Sequence, residues 1–280
     1  MLNLDFFKQG ICLIFDYIFL RRCLLCGNVI CVDRRNSNFQ RDYCLCEKCK
    51  SEILPIDQNN CCSKCGYPFE PLRLYNGEII RGKSIFINKS VVCQSCKSMH
   101  FVFKSAHSCF QYQSKIRRLL MNFKFYFQTE TIDFIGLSLV DVYKHMKKAD
   151  IVCCIPTERK KLFLKGYNHA ALIAGGFFKF AKQIDNNVIF LPDLLIKKRS
   201  TSGQSKNMSQ HERWLKKHNF AINQKYLTQK WGKFFSGKTI LIVDDIMTTG
   251  ATLNAAAFVL RQNFFNIEIE CLTFARTMLY

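Results

Sequence analysis

The stretch Thr239-Ile-Leu-Ile-Val-Asp-Asp-Ile-Met-Thr-Thr-Gly-Ala-Thr252 decides the fold of this chain. Thr239–Val243 is an apolar run rich in β-branched residues, the pattern of a parallel strand buried on both faces. It ends in Asp244-Asp245, where a buried strand reaches the carboxyl edge of its sheet, and open α/β sheets bind ligands at that edge. Thr248-Thr249-Gly250-Ala251-Thr252 then enters a helix expected over Ala251–Gln262. Hydroxyls, a glycine and N–H groups at a helix N-terminus make a cradle for a phosphate monoester. Two carboxylates cannot also grip that anion, because like charges repel. They suit a neutral, hydroxyl-bearing ribose joined to it, so the segment calls for a ribose 5-phosphate moiety. The plainer reading is a strand–turn–helix in which Asp244 and Asp245 cap the turn. A Walker-type P-loop is excluded, since no Gly-Lys-[Ser/Thr] follows the glycine. A metal-dependent hydrolase or a phosphorelay receiver fits the Thr-Thr-Gly-Ala-Thr tail poorly.

Working outward, strand-like and helix-like segments alternate on both sides of this loop. Ala106–Gln111 reads as a strand, Ser114–Phe125 as a helix with a basic face, and Thr129–Lys148 as a longer helix closed by Lys147-Lys148. Ile151–Ile155 (strand), Asn168–Lys182 (helix) and Val188–Leu191 (strand) follow. After a polar, basic stretch over Lys197–His218 comes the quoted strand and helix, then a last strand at Ile267–Phe274. Such alternation argues a parallel sheet flanked by helices.

Before Ala106 the texture differs. Of the 16 cysteines, 12 fall within Met1–Cys96. Four C-x-x-C pairs stand there: Cys23/Cys26, Cys46/Cys49, Cys62/Cys65 and Cys93/Cys96. Gly27 and Gly66 follow two of them and permit the tight positive-φ turn of a metal knuckle. Two pairs give the four soft ligands of a closed, structural zinc site. Sequential pairing would join Cys23, Cys26, Cys46 and Cys49 in one site and Cys62, Cys65, Cys93 and Cys96 in a second. Interleaved pairing stays open, and an iron–sulfur cluster is the chemical rival. Most of the remaining cysteines read as small buried hydrophobes.

The chain has 280 residues, 49% of them hydrophobic, which is enough for a sizeable core. Its formal charge is +20 and its pI about 9.4, which points to polyanionic company or, more plainly, to solvated lysines. The apolar run Gly10–Leu20 lacks a basic start and a cleavage site and is too short to span a bilayer. It reads as part of an amphipathic helix within residues 1–22 that packs on the body, with a membrane-surface contact as the alternative. Clustered C-x-x-C pairs suit the reducing cytoplasm. The expected division is 1–22, a cysteine-rich zinc-binding region over 23–105, and an α/β domain over 106–280.

The quoted segment resembles the signature of type I phosphoribosyltransferases, which bind phosphoribosyl pyrophosphate with magnesium. More narrowly, the chain is similar to the ComF family of competence-protein F homologues from Cys23 to Arg276. The cysteine-rich leader, Tyr112–Phe125, Cys153–His169, Thr201–Arg213 and the phosphoribosyl loop match in the family's order. The resemblance implies a type I phosphoribosyltransferase-like parallel sheet preceded by a double zinc ribbon. It implies catalytic Asp244 and Asp245, with Thr248, Thr249, Gly250, Ala251 and Thr252 on the 5-phosphate. A pyrophosphate loop would lie at Pro156–Asn168, with Arg159, Lys160, Lys161, Lys165 and Gly166, and a mobile lid at Lys197–Arg213. Departures include Cys154 for a proline, His169 for a glutamine, and Glu158 for a histidine. Glu158 is unfavourable beside pyrophosphate unless magnesium or Arg159 offsets it. The family also implies a role in DNA uptake and natural transformation. Arg117, Arg118 and Lys124 would then meet single-stranded DNA, alone or beside a DNA-uptake ATPase or helicase. The plainer reading of that segment is an amphipathic helix with its aromatics turned inward.

Overall fold

The computed structural model describes residues 22–30, 44–69, 73–75, 78–80, 91–126, 129–198 and 219–278. Residues 1–21 of the expected N-terminal helix, Cys31, and residues 199–213 of the expected lid lie outside the described residues. Of Arg159 and Lys161 only the backbone is described.

Along the cysteine-rich region run α1 (Glu47–Ser51), the antiparallel pair β1 (Arg73–Tyr75) and β2 (Glu78–Ile80), and α2 (Gln94–Ser98). Then follow β3 (Ser105–Gln111), α3 (Ser114–Tyr126), α4 (Thr129–Tyr143), β4 (Ile151–Cys154), α5 (Arg159–Lys165), α6 (His169–Ala181) and β5 (Ile189–Phe190). A second antiparallel pair, β6 (Leu195–Lys197) and β7 (Phe220–Ile222), precedes α7 (Gln229–Phe235). The chain closes with β8 (Thr239–Met247), α8 (Ala251–Asn263) and β9 (Glu268–Arg276).

Five strands form one sheet in the order β3-β9-β8-β4-β5, and every neighbouring pair is parallel. The parallel sheet with flanking helices is the architecture that the alternating pattern called for. Ile240–Val243 of β8 are fully buried, as a central strand covered on both faces requires. The chain leaves β4 toward β5 on one side and leaves β8 toward β9 on the other. Between β4 and β8 the winding therefore reverses, and the crevice beyond their carboxyl ends is where such sheets take ligands. Right-handed crossovers then put α6 and α8 on opposite faces.

Two elements end several residues from where the sequence suggests. The helix expected over Thr129–Lys148 stops at Tyr143, whose hydroxyl accepts the N–H of Ala149 at 2.7 Å and closes the turn into β4. Lys147 does not cap a helix; it pairs with Glu268 at 3.0 Å. The strand expected to end at Val243 runs on to Met247, because β9 continues pairing beside it as far as Arg276. The β6–β7 pair and α7 carry little periodicity of their own. Phe235 of α7 stacks on Phe264 at 4.0 Å and so anchors that helix to the core.

The outer edge of β3 is covered by the cysteine-rich region. Pro55 bridges Phe110, the Ile56 N–H donates to the Cys109 carbonyl and the Gln111 N–H to the Leu54 carbonyl, both at 2.9 Å. Farther along the same edge, the Ala106 N–H donates to the Lys64 carbonyl at 3.0 Å. An open strand edge is thereby paired. The close fit has a consequence at Gly66, which holds φ +64°: a Cβ there would lie 2.5 Å from the Ala106 carbonyl oxygen. Gly66→Ala should destabilise the protein by about 2 kcal/mol or more, from backbone strain and the clash together. A melting curve unchanged from wild type would contradict this packing.

Candidate functional site

Two sets of four thiols converge: Cys23, Cys26, Cys46 and Cys49, and Cys62, Cys65, Cys93 and Cys96, each within 4.8 Å of one another. The pairing is sequential. A zinc–sulfur bond of about 2.3 Å sets the edge of a tetrahedron at about 3.8 Å. The Sγ atoms of Cys26 and Cys46 are 3.7 Å apart, and so are those of Cys65 and Cys93. Both sites therefore fit a tetrahedral metal. They also share a plan. In each, the first C-x-x-C sits in a knuckle closed by a glycine, whose N–H donates to the carbonyl of Cys23 (2.9 Å) or Cys62 (2.8 Å). In each, the second C-x-x-C opens a short helix, with Cys46 at the N-cap of α1 and Cys93 at that of α2. Four thiols per site leave no open position for substrate, so these metals hold structure.

At the carboxyl edge, β4 ends at Cys154, opposite Val243, while β8 extends to Met247 still paired with β9. Asp244 and Asp245 thus stand just past the end of β4, at the winding reversal. The Asp244 carboxyl accepts the Asp245 N–H at 2.9 Å, and the Asp245 carboxyl accepts the Ile246 N–H at 2.7 Å. Burial, reinforced by the neighbouring Asp245, holds the Asp244 carboxyl well above the ordinary carboxylate range. Asp245 is ion-paired with Lys124 near the end of α3. Cys154 lies on the Asp244 side; burial first, then the charges of Asp244 and Asp193, push its thiol up to about 12. It donates to the Pro192 carbonyl at 3.3 Å, so it is a packed thiol and no nucleophile.

Thr248 and Thr249 are exposed, Gly250 is buried, and Ala251 begins α8. The Ala251 N–H donates to Thr249 Oγ1 at 3.4 Å, and the first N–H to find an intrahelical carbonyl is that of Asn254, to Gly250. The N–H groups before it have no such acceptor and face the helix mouth. Gly250 holds φ +80°, and a Cβ there would come within 2.7 Å of Met247 Cε and 3.2 Å of the Phe101 ring. Gly250→Ala should cost about 1 to 3 kcal/mol in stability and weaken anion binding at the loop. Melting and phosphate-ligand titration of the variant check both, and an unaltered loop affinity would count against the cradle. Behind the loop, the buried side chain of Asn254 accepts the Val102 N–H at 2.6 Å, tying α8 to the segment before β3.

The expected pyrophosphate loop is partly helical. Residues 159–165 form α5, as a run of good helix formers does, and Gly166 ends it at φ +78°. Lys160 and Lys165 are exposed. Glu158, unfavourable for an anion in the sequence reading, is paired with Lys197 at 3.1 Å, so its charge is offset from outside the loop. Asn168 caps α6, accepting the Ala170 N–H at 3.1 Å and donating to the Ile155 carbonyl at 3.0 Å. His169 packs edge-on against Phe123 and Tyr167, and burial lowers its pKa.

The residues read as a nucleic-acid face do not stay together. Arg117 and Arg118 are exposed, whereas Lys124 turns to Asp245 and belongs to the carboxylate site. Phe123 is fully buried and Phe125 is 67% exposed. Sequence reasoning missed three neighbours of the sites. Lys115 lies 3.8 Å from Cys49 Sγ and 3.3 Å from Glu52, Arg276 donates to Cys65 Sγ, and Phe101 backs Gly250. Nothing in their local sequence marks them, since every partner is distant along the chain or set by packing. Among the described residues no helix is long and apolar enough to cross a membrane.

Residues 14–80 match the family model of the double zinc ribbon domain. That match ends before Cys93 and Cys96, which complete the second thiol set. No curated protein matches the chain. Among solved structures, the chain is similar to adenine phosphoribosyltransferase from Saccharomyces cerevisiae, with 21% identity and a TM-score of 0.28 over 53% of this chain and 67% of that one. It is also similar to a hypoxanthine phosphoribosyltransferase from Staphylococcus aureus, with 16% identity and a TM-score of 0.29 over 54% and 74% of the two chains. Likenesses so distant carry no argument, and the α/β fold stands on the strand order itself.

Proposed function

We propose that this is a ComF-like protein that binds phosphoribosyl pyrophosphate, or another ribose 5-phosphate compound, at the carboxyl edge between β4 and β8. The observation that carries the reading is the placement of Asp244 and Asp245 just past the end of β4, one turn before the open N–H groups of α8. The N–H groups and hydroxyls of Thr248–Thr252 hold the 5-phosphate, and the two carboxylates accept from ribose hydroxyls. Arg159, Lys160 and the backbone at Gly166 lie in the segment after β4 that would meet the pyrophosphate. The carboxylates are hard oxygen donors and fit magnesium held mainly by the substrate's phosphates. Magnesium held there would supply positive charge against the pyrophosphate. Transfer of the phosphoribosyl group to a nitrogen acceptor would then rest on positioning and on charge taken up by these groups.

Asp245 carries an intrinsic competitor. Lys124 neutralises it in the ligand-free protein, so ribose must share or displace that ammonium. Calorimetry with phosphoribosyl pyrophosphate and magnesium tests the binding. Saturable heat in the wild type that is lost in the Asp244→Asn/Asp245→Asn double variant supports the reading, and equal heats in both proteins contradict it. Turnover is tested separately, by pyrophosphate release with candidate bases.

The setting of this activity is DNA uptake and natural transformation in the cytoplasm, beside a DNA-uptake ATPase or helicase. A second reading, a non-enzymatic adaptor for single-stranded DNA, is favoured by exposed Arg117, Arg118 and Phe125 on one helix. It predicts binding that weakens steeply with salt and falls several-fold in Arg117→Ala/Arg118→Ala. Binding indifferent to both changes would remove it.

A further inference from the structure

Arg276, the last residue of β9, is 3% exposed. Its Nη2 donates to Cys65 Sγ at 3.3 Å, and its guanidinium carbon lies 5.4 Å from the centroid of the Tyr67 ring. Its Nε and Nη1 are buried without a hydrogen-bond partner. None of the ion pairs among the described residues involves it. A buried guanidinium in that position is costly unless negative charge lies close by, since desolvation is not offset by pairing.

Among the described residues, its side-chain hydrogen bond goes to the second thiol set, through Cys65. Metal binding takes the protons off cysteine thiols, and four thiolates around one divalent ion keep a net negative charge. We infer that Arg276 is the counter-cation of the metal centre at Cys62, Cys65, Cys93 and Cys96, so that filling this ribbon and ordering the sheet's carboxyl edge are one event. The link to that edge is short. Met247, which immediately precedes Thr248, lies opposite Arg276 in the β8–β9 register. The next residue of the chain, Thr277, donates its N–H to the Met247 carbonyl at 3.0 Å, and the Arg276 carbonyl accepts the Tyr112 N–H at 2.7 Å. Arg276 is thus a positioning residue: it touches a thiol on one side and fixes the strand that launches the loop on the other. The inference does not depend on what the loop binds.

The sign of the effect separates this role from simple packing. With zinc bound, the guanidinium faces a four-thiolate centre of net negative charge; with zinc stripped, that fixed counter-charge is gone from beside a buried, incompletely hydrogen-bonded cation. Arg276→Met and Arg276→Gln should therefore lower the melting temperature of the zinc-loaded protein, and leave unchanged or raise that of the protein stripped by a chelator. Arg276→Lys should restore part of the loaded stability. In a chromogenic-chelator assay on the loaded protein, one of the two zinc ions should leave either neutral variant about 10-fold faster or more, while the other leaves at the wild-type rate. Either folded variant suffices for the assay, and if the stripped protein shows no melting transition the release rates alone decide. Equal destabilisation of loaded and stripped protein, or release of both ions at wild-type rates, would overturn the inference.

Discussion

Asp244→Asn should raise the melting temperature of the ligand-free protein at neutral pH and, on the proposed function, weaken binding of phosphoribosyl pyrophosphate at least about tenfold. The two effects share one cause. Burial and the adjacent Asp245 raise the folded-state pKa of Asp244 well above its ordinary value. A carboxyl with a raised folded pKa costs no stability below its unfolded pKa of about 4, and an increasing amount as pH climbs from there toward the folded value. The gain from asparagine is therefore absent at pH 3 and opens upward. Asparagine keeps the oxygen that accepts the Asp245 N–H, so the strand end stays intact. It loses the carboxyl's second acceptor oxygen, which leaves a ribose hydroxyl unpaired, worth roughly 1–3 kcal/mol. Melting curves from pH 3 to pH 8 and parallel titrations check both arms. A variant less stable across the whole range, or one that binds as the wild type does, would contradict this account of the carboxylate pair.

Losing the second metal should cost more than losing the first. Cys65→Ser should remove one zinc and most of the fold's stability, whereas Cys26→Ser should remove one zinc and leave the sheet cooperative. Cys62 and Cys65 are 1% and 2% exposed, and their knuckle is wedged onto β3 through Gly66 and the Lys64 carbonyl, with Arg276 beneath it. Cys26 lies at the exposed face of the first site. A structural zinc is worth on the order of 10 kcal/mol, as much as the whole net stability of a domain. Metal content and far-UV melting of the two variants decide the matter. Equal losses would mean that the ribbons are independent of the sheet.

Much of this was legible because the signals are local. An apolar β-branched run followed by Asp-Asp and Thr-Thr-Gly-Ala-Thr specifies a strand and a helix mouth within fourteen residues. The C-x-x-C pairs declare knuckles, and chain order favoured the sequential pairing that the structure adopts. What escaped the sequence depends on contacts between distant segments. The extension of β8 past Val243 is set by its partner β9. Periodicity shows that Lys124 is on a polar face of α3 but not that the face meets Asp245. In the same way, no pattern around Arg276 announces a cysteine of the other region as its neighbour, and the weakly periodic β6–β7 pair is defined only by its pairing.

The measurement that bears most directly on the central claim is a crystal structure with phosphoribosyl pyrophosphate and magnesium. The 5-phosphate should lie on the N–H groups and hydroxyls of Thr248–Thr252, with ribose hydroxyls against Asp244 and Asp245 and the pyrophosphate toward residues 156–168. A ligand bound elsewhere, or a ribose that touches neither carboxylate, would contradict it.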